Sequence, residues 1–184
     1  MKVKPAGNPG NVVMELGDHD EAVLAAAASP FKIKTILVPV DFSDCSRQAL
    51  KYALPLAGQH DATVALLYVI PTPPYAMTEY GGVDFASIES ELRANSERQL
   101  AALVKEEAQD VKTETMVCAG SPGEEIILTA KSLGADLIVI STHGRTGLKH
   151  VFLGSVAEHV VRHAPCPVLV VREPSVPSKS KTAA

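Results

Sequence analysis

Residues 137–155 read LIVISTHGRTGLKHVFLGS and combine a short apolar run, a loop that contains glycines and the start of a predicted helix. The run at 137–140 carries no charge and is rich in Ile and Val, which is typical of a strand buried on both faces of a sheet. Gly144 and Gly154 can let backbone N–H groups approach an anion closely, and the helix expected from Ser155 adds unpaired N–H groups and the positive end of its dipole. This stretch therefore predicts an α/β unit with a loop suited to phosphates at the end of a buried strand.

The same alternation of apolar strands with helices extends through residues 31–172. The strands predicted from apolar or alternating patterns cover residues 33–40, 63–70, 111–117, 137–140 and 166–172. The helices predicted from the spacing of apolar residues cover 44–58, 88–104, 121–133 and 155–163. Residues 111–117 alternate polar and apolar positions as an edge strand does, and Pro55 is expected to kink its helix or loosen its last turn. Joined by right-handed crossovers, these elements predict an open five-stranded parallel sheet with helices on both faces.

Two segments lie outside this predicted domain of residues 31–172. Residues 1–30 are interpreted as an N-terminal extension, in which acidic residues precede the apolar run at 22–28. A secretory signal has a basic region at that place, so a short amphipathic helix is the favoured interpretation. Residues 173–184 are rich in Ser, Pro and Lys and are expected to form a flexible tail.

Composition narrows the range of partners. Aromatic residues make up 4% of the chain and Trp is absent, which disfavours a surface that stacks on the bases of single-stranded nucleic acid. The formal net charge of -4 disfavours a general nucleic-acid binder. No apolar run approaches the length needed to span a bilayer. Cys45, Cys118 and Cys166 show no CxxC spacing, which fits reduced thiols in a cytoplasm. We therefore expect a cytoplasmic protein that binds neither nucleic acid nor membrane.

A ligand site is expected at the carboxyl ends of the strands, at the point where the winding of the sheet reverses. The first strand ends at Pro39, Val40 and Asp41, and the fourth strand runs through Ser141 into Thr142. If the winding reverses between these two strands, both segments face one crevice. Asp41 would then stand where a carboxylate can accept hydrogen bonds from a ribose.

Hydroxyl groups and positive charges accompany the glycines of the loop. The hydroxyl-bearing residues are Ser141, Thr142 and Ser155, and the basic residues are Arg145 and Lys149. Two plainer interpretations stay open at this point. Ser155 and Glu158 have the spacing of a helix capping box, and glycines often only make turns.

Three segments of the chain resemble the universal stress protein family. They are Ile36-Leu37-Val38-Pro39-Val40-Asp41-Phe42-Ser43, the stretch from Ser141-Thr142-His143-Gly144 to Gly154-Ser155-Val156-Ala157-Glu158, and Ala164-Pro165-Cys166-Pro167-Val168-Leu169-Val170-Val171. The resemblance covers residues 31–172, and the spacing from Gly144 to Gly154 matches the family pattern G-x2-G-x9-G-[ST]. It implies an adenine nucleotide α-hydrolase-like fold with strand order 3-2-1-4-5, in which the winding reverses between the first and fourth strands.

The family includes members that bind ATP and members that do not, and the members that bind carry the glycine pattern. The resemblance therefore implies an ATP-binding module with a regulatory role in the stress response, with Mg²⁺ as a further candidate at the phosphates. The contacts implied for adenine and ribose are Pro39, Val40, Asp41 and Val69. The contacts implied for ribose and phosphates are Ser141, Thr142, His143, Gly144, Arg145, Thr146, Gly147, Gly154, Ser155 and Val156.

Ser141 stands where the family pattern has its first glycine. If this position needs a positive φ, a serine costs about 1–2 kcal/mol there. If the position is the extended end of a strand, serine fits and adds a hydroxyl donor. We favour the second alternative, because Ser141 directly follows the buried strand.

No catalytic arrangement stands out beside the predicted loop. Asp41 and His143 are the candidates for activating a water, so we expect nucleotide binding with at most weak ATP hydrolysis. His159 and His163 have a spacing that can hold a metal, but no third ligand is evident and no metal site is predicted. A dimeric interaction module without nucleotide stays open as an alternative, as do AMP and a cyclic nucleotide as ligands.

The last predicted strand is short, apolar and at an edge of the sheet. An unpaired strand edge invites pairing with another chain. The resemblance to the universal stress protein family implies dimerisation through this strand. We therefore predict a homodimer formed through the C-terminal strand.

Overall fold

The computed structural model describes residues 2–5, 12–15, 32–72, 85–142 and 153–172 of the chain. The chain divides into two compact units, Met1–Lys32 and Ile33–Ala184. In the first unit, strand β1 (Lys2–Pro5) pairs antiparallel with strand β2 (Val12–Glu15). The sequence pattern does not indicate this pair, because strands of four residues are too short to show a clear period of two. The predicted helix at 22–28 and the predicted tail at 173–184 lie outside the described residues.

The second unit is built around a five-stranded sheet. In chain order its described elements are β3 (Thr35–Pro39), α1 (Asp44–His60), β4 (Thr63–Pro71), α2 (Phe85–Glu107), β5 (Thr113–Gly120), α3 (Pro122–Leu133), β6 (Leu137–Ser141), α4 (Ser155–His163) and β7 (Val168–Val171). The strands pair in the order β5-β4-β3-β6-β7, and all four pairings are parallel. Counted from β3 this is the order 3-2-1-4-5, so the predicted fold class and strand order are confirmed. Within the described ranges, no helix is long and apolar enough to cross a bilayer.

Helices cover both faces of the sheet and enclose two layers of core. On one face, Leu50 of α1 and Leu103 of α2 pack in a cluster with Val38 of β3. On the other face, Ile126 of α3 and Val160 of α4 pack with alternate residues of the same central strands. Because both faces are covered, the central strands are apolar at nearly every position. This is why continuous apolar runs predict them well.

Helix α1 continues past Pro55 to His60, two residues beyond its predicted end. Ala53 and Ala57 lie on one face of the helix, and both are at most 1% exposed. The turn that contains Pro55 therefore stays packed on the sheet. The packing of this turn therefore outweighs the loosening of the last helical turn that is expected from an internal proline.

The edge position of strand β5 and the start of helix α3 both agree with the sequence pattern. Among the described strands, β5 pairs with β4 alone, so it forms an edge of the sheet as predicted. Ser121 is the N-cap of helix α3 and Pro122 is its first residue, a position that proline favours. The Ser121 side chain, however, makes no capping hydrogen bond within the described part of the chain.

Candidate functional site

Strands β3 and β6 separate at their carboxyl ends and leave a crevice between them. Their pairing stops at Leu37 and Ile138. Beyond this point the chain of β3 turns towards β4, where the Val40 N–H donates to the carbonyl oxygen of Leu67 at 2.8 Å. A cavity of about 370 Å³ is lined by the ends of both strands. The cavity therefore lies at the reversal of the winding, where such sheets bind ligands.

Many of the predicted contact residues meet at this cavity. Those that line it are Pro39, Val40, Asp41, Val69, Ser141, Thr142, Gly154, Ser155 and Val156. The remaining predicted contacts lie outside the described residues, and they are His143, Gly144, Arg145, Thr146 and Gly147. The structure thus brings together two segments, at 39–41 and 141–142, that are about a hundred residues apart in the sequence.

The cavity also has lining residues that the sequence pattern does not single out. These are Ser46, Leu67, Tyr68, Pro71, Pro122, Ile126, Ile140 and Ala157. Leu67 could be found from Val69, because residues two apart on a strand share a face. Ser46 could be found from its spacing to the helix cap at Ser43. Ile126 lines the cavity because of the way helix α3 packs on the sheet, and no local sequence pattern predicts that packing.

Val69 presents backbone groups to the cavity as well as its side chain. The Leu67 carbonyl accepts from Val40 on the β3 side, and Val69, two residues further, directs its N–H and carbonyl to the same side. Strand β3 ends at Pro39, opposite Leu67. In the described ranges, no backbone group pairs with the N–H or carbonyl of Val69 on that side. This strand edge therefore offers an adjacent donor and acceptor beside an apolar wall.

The first turn of helix α4 forms another wall of the cavity. Gly154 is the N-cap, and its N–H donates to the carbonyl oxygen of Thr142 at 2.7 Å. Ser155 is the first helical residue, and within the described segments no side chain caps this end of the helix. The N–H groups of the first turn and the helix dipole are therefore open to an anion in the cavity.

The capping box proposed as an alternative for Ser155 and Glu158 is wrong. Ser155 lies inside the helix rather than at the N-cap. The carboxylate of Glu158 pairs with Arg162 at 2.8 Å instead of reaching back to the helix start. Gly154 has φ −68° and ψ 153°, so its backbone conformation does not require glycine. What glycine provides at this wall is the absence of a side chain.

Asp41 is held in a tight turn between β3 and α1. Its Oδ1 accepts hydrogen bonds from the Ser43 hydroxyl at 2.5 Å and from the Ser43 N–H at 3.1 Å. Its own N–H donates to the hydroxyl oxygen of Ser46 at 3.3 Å. Ser43 also caps α1 by accepting the Ser46 N–H at 3.3 Å. The Asp41 carboxylate thus has a defined orientation at the cavity wall.

Phe42, at the centre of this turn, has a strained backbone. Its φ of 65° places a bulky residue in the left-handed region, which favours glycine. The Phe42 ring packs on Tyr68 of β4 with 4.8 Å between the ring centroids. Strain of this kind costs about 1–3 kcal/mol and persists where surrounding contacts enforce it. The strained residue directly follows Asp41, which lines the cavity.

Ser141 has the conformation expected of the end of a strand. It is the last residue of β6, pairs with Val171 and is 9% exposed. The non-glycine residues with positive φ in the described ranges are Phe42 and Asp61, so Ser141 carries no left-handed strain. Serine therefore fits where the family pattern has glycine.

The rings of His159 and His163 stack on each other on helix α4. Their ring centroids are 4.5 Å apart, and the His163 Nδ1 lies 2.9 Å from the carbonyl oxygen of His159. Among the described residues, no group of three or more His, Cys, Asp or Glu side chains could hold a metal ion.

An open parallel sheet with helices on both faces and a cavity at its winding reversal defines a doubly wound α/β protein. A sequence model of the universal stress protein family matches residues 32–172. The chain belongs to the universal stress protein family.

Individual relatives support this assignment. Universal stress protein MJ0531 of Methanocaldococcus jannaschii is 40% identical over 143 residues, which are 77% of this chain and 83% of the relative. The solved structure of MJ0577 from the same organism has a TM-score of 0.68 at 32% identity, covering 77% of this chain and 96% of that one. A universal stress protein solved in complex with cAMP has a TM-score of 0.53 at 24% identity, covering 76% and 97%, and that likeness concerns the fold.

Proposed function

We propose that this chain binds an adenine nucleotide, ATP in the first place, and acts as a regulatory module in the stress response. The observation that carries this proposal is the meeting of two features at one cavity. One is the strand edge at Val69 beside an apolar wall, and the other is the first turn of helix α4, which no side chain of the described residues caps. The first suits a purine base and the second suits phosphates.

The backbone of Val69 supports adenine as the base. Adenine carries an amino donor at N6 next to the acceptor N1, whereas guanine carries an acceptor at O6 next to a donor. The adjacent N–H and carbonyl of Val69 complement the adenine pattern. Leu67, Ile126 and Ile140 supply the apolar surface on which a flat ring can lie. We therefore expect ATP to bind more tightly than GTP.

The phosphates would lie at the start of helix α4. A helix dipole contributes only about 0.3–1 kcal/mol per charge, so several donors have to act together. The first-turn N–H groups and the hydroxyls of Ser141, Thr142 and Ser155 stand at this end of the cavity. Arg145 and Lys149 follow β6 in the sequence and would add positive charge, with Mg²⁺ as a further candidate.

The ribose would lie against Asp41, between the base and the phosphates. A carboxylate at the end of the first strand of a doubly wound sheet is suited to accept hydrogen bonds from ribose hydroxyls. Asp41 lines the cavity together with Pro39 and Val40. A protein of this fold has been solved with cAMP, so the fold is compatible with an adenine nucleotide.

Binding rather than catalysis is proposed for this site. Oδ1 of Asp41 already accepts two hydrogen bonds from Ser43, which disfavours this oxygen as a base for activating water. The three cysteines with free thiols fit the expected cytoplasmic location. ATP would act by changing a surface seen by a partner.

A pair of substitutions on helix α4 tests the nucleotide site. Val156→Asp places a negative charge on the first turn, where it favours the helix but repels phosphates. Val161→Asp is the matched control, because Val161 is on the same helix, is 46% exposed and is not among the cavity-lining residues. By calorimetry, we expect Val156→Asp to weaken Mg-ATP binding at least about tenfold, and Val161→Asp to leave it unchanged.

The unaltered chain provides the decisive result. It should retain adenine nucleotide on purification or bind Mg-ATP on titration, and it should bind Mg-GTP more weakly. An unaltered chain that binds no nucleotide in either experiment would overturn the proposal and favour the interaction module without nucleotide. ADP release over time, with Asp41→Ala as control, measures any hydrolysis.

We also propose a homodimer that forms through strand β7. The strand pairs with β6 alone among the described strands, and Leu169 is 36% exposed. The Thr142 N–H donates to the Val171 carbonyl, and the Ile138 N–H donates to the Pro167 carbonyl. The odd-numbered residues of β7 therefore direct their backbone N–H and carbonyl groups towards β6. The N–H groups of Val168 and Val170 therefore face outward, where a second chain can pair.

This orientation gives a specific test of the dimer. Val170→Pro removes an outward N–H without removing a bond to β6, and Val170→Thr keeps that N–H. Sedimentation should find the unaltered chain and Val170→Thr dimeric and Val170→Pro shifted to monomer. An unaltered chain that stays monomeric at high concentration would contradict the dimer.

A further inference from the structure

We propose that Ser43 is a positioning residue of the nucleotide site, whose hydroxyl orients the Asp41 carboxylate towards the ribose. This inference rests on the proposed adenine nucleotide binding and extends it to a residue that does not line the cavity. Ser43 would act through Asp41 and would not touch the ligand itself.

The Ser43 hydroxyl makes two bonds with different consequences. As an acceptor it receives the Ser46 N–H at 3.3 Å, which caps helix α1. As a donor it makes a hydrogen bond to Oδ1 of Asp41 at 2.5 Å, the short distance typical of an alcohol bonded to a carboxylate. Capping needs only an acceptor, which Asp or Asn also supplies, and Gly is tolerated at N-caps at little cost. The donor bond is therefore what a hydroxyl adds at this position.

Hydrogen bonds of Ser46 on the other side of the turn fix the backbone of Asp41. Ser46 is 2% exposed, its hydroxyl donates to the Ser43 carbonyl at 2.9 Å, and it accepts the Asp41 N–H. Phe42, between Asp41 and Ser43, is held at φ 65° and packs on Tyr68. With both the main chain and the carboxylate fixed, little rotamer freedom is left for a ribose to remove on binding.

Two substitutions separate positioning from capping. Ser43→Gly removes the hydroxyl but remains an acceptable N-cap, so the helix loses little. Ser43→Thr keeps a hydroxyl that can both accept and donate. The probes are ATP and 2′,3′-dideoxy-ATP, because the ratio of their dissociation constants reports the contact between the ribose hydroxyls and the protein.

We expect the unaltered chain to bind ATP roughly tenfold more tightly than dideoxy-ATP, as for a hydrogen bond to a charged group. Ser43→Gly should reduce this ratio to about threefold or less and leave dideoxy-ATP binding unchanged. Ser43→Thr should restore the ratio. In an Asp41→Asn background, Ser43→Gly should have no further effect on it, because the two residues act as one unit.

The outcomes that overturn the inference differ from those that overturn the proposed function. If the unaltered chain binds neither nucleotide, the proposed function fails and the inference fails with it. If it binds both equally, or if Ser43→Gly keeps the full ratio, the positioning role fails while nucleotide binding stands. A Ser43→Gly variant that loses affinity for both nucleotides by the same factor would make Ser43 a structural residue and also overturn the inference.

Discussion

The N–H of Gly154 donates to the carbonyl oxygen of Thr142 at 2.7 Å, and this bond joins the end of strand β6 to the start of helix α4. Thr142 is 4% exposed, and its own N–H donates to the Val171 carbonyl at 2.9 Å. The helix start is therefore tied to the sheet at the point where both line the cavity. The position of the first-turn N–H groups depends on this connection.

Gly154→Pro tests the connection directly. The φ of −68° at Gly154 is the value that proline adopts, so the substitution removes the N–H and keeps this angle. Loss of a bond to a buried carbonyl should lower the free energy of unfolding by about 1–2 kcal/mol. Gly154→Ala keeps the N–H and should cost less than about 1 kcal/mol. Urea denaturation compares the two, and equal losses would contradict the proposed role of the bond.

Ser141→Gly restores the glycine of the family pattern and should bring no benefit. Ser141 is extended and buried at the end of β6, so glycine relieves no strain there and loses more backbone entropy on folding. We expect a loss of about 0.5–1 kcal/mol in the free energy of unfolding. Mg-ATP affinity should not improve. A more stable or tighter-binding Ser141→Gly variant, by urea denaturation or calorimetry, would show that the serine is unfavourable.

The sequence predicts those parts of the site that belong to single elements. Asp41 and Ser141 could be identified because each ends a continuous apolar run, and such runs mark strands covered on both faces. Ile126 could not, because its place at the cavity depends on the packing of α3 against β4. The bond from Ser43 to Asp41 could not either, since it depends on the unusual φ of Phe42.

Gly123→Ala should disturb the contact between helices α3 and α4. A Cβ at Gly123 would lie 2.8 Å from Cδ2 of His159, closer than real Cβ contacts allow. We expect a loss of about 1–3 kcal/mol in the free energy of unfolding, as for an overpacked core. Gly58→Ala in helix α1 is the control, because a Cβ there meets nothing within 4 Å, and it should stabilise the protein slightly.

A second variant distinguishes overpacking from other causes. His159→Ala removes the ring that a Cβ at Gly123 would strike, so adding it to Gly123→Ala should recover part of the lost stability. Thermal or urea denaturation of the single and double variants gives the coupling between the two positions. Strictly additive losses would mean that the two helices do not meet at these residues.

Cys118, on edge strand β5, should remain a thiol at pH values where an ordinary cysteine ionises. Burial raises its pKa first of all, and the nearby charge and hydrogen bond of Glu125 raise it further. Because the folded-state pKa lies above the unfolded value, this contribution to stability is complete below the unfolded pKa of about 8.5 and is lost as the pH rises through the folded pKa. The free energy of unfolding should therefore fall above about pH 8.5, and less so in Cys118→Ser.

The alkylation rate of Cys118 measures its pKa directly in a Cys45→Ser/Cys166→Ser background. This rate should rise with pH with a midpoint above the ordinary cysteine range, and Glu125→Gln should lower that midpoint without abolishing the shift. A midpoint at or below the ordinary value would mean that neither burial nor Glu125 acts on this thiol.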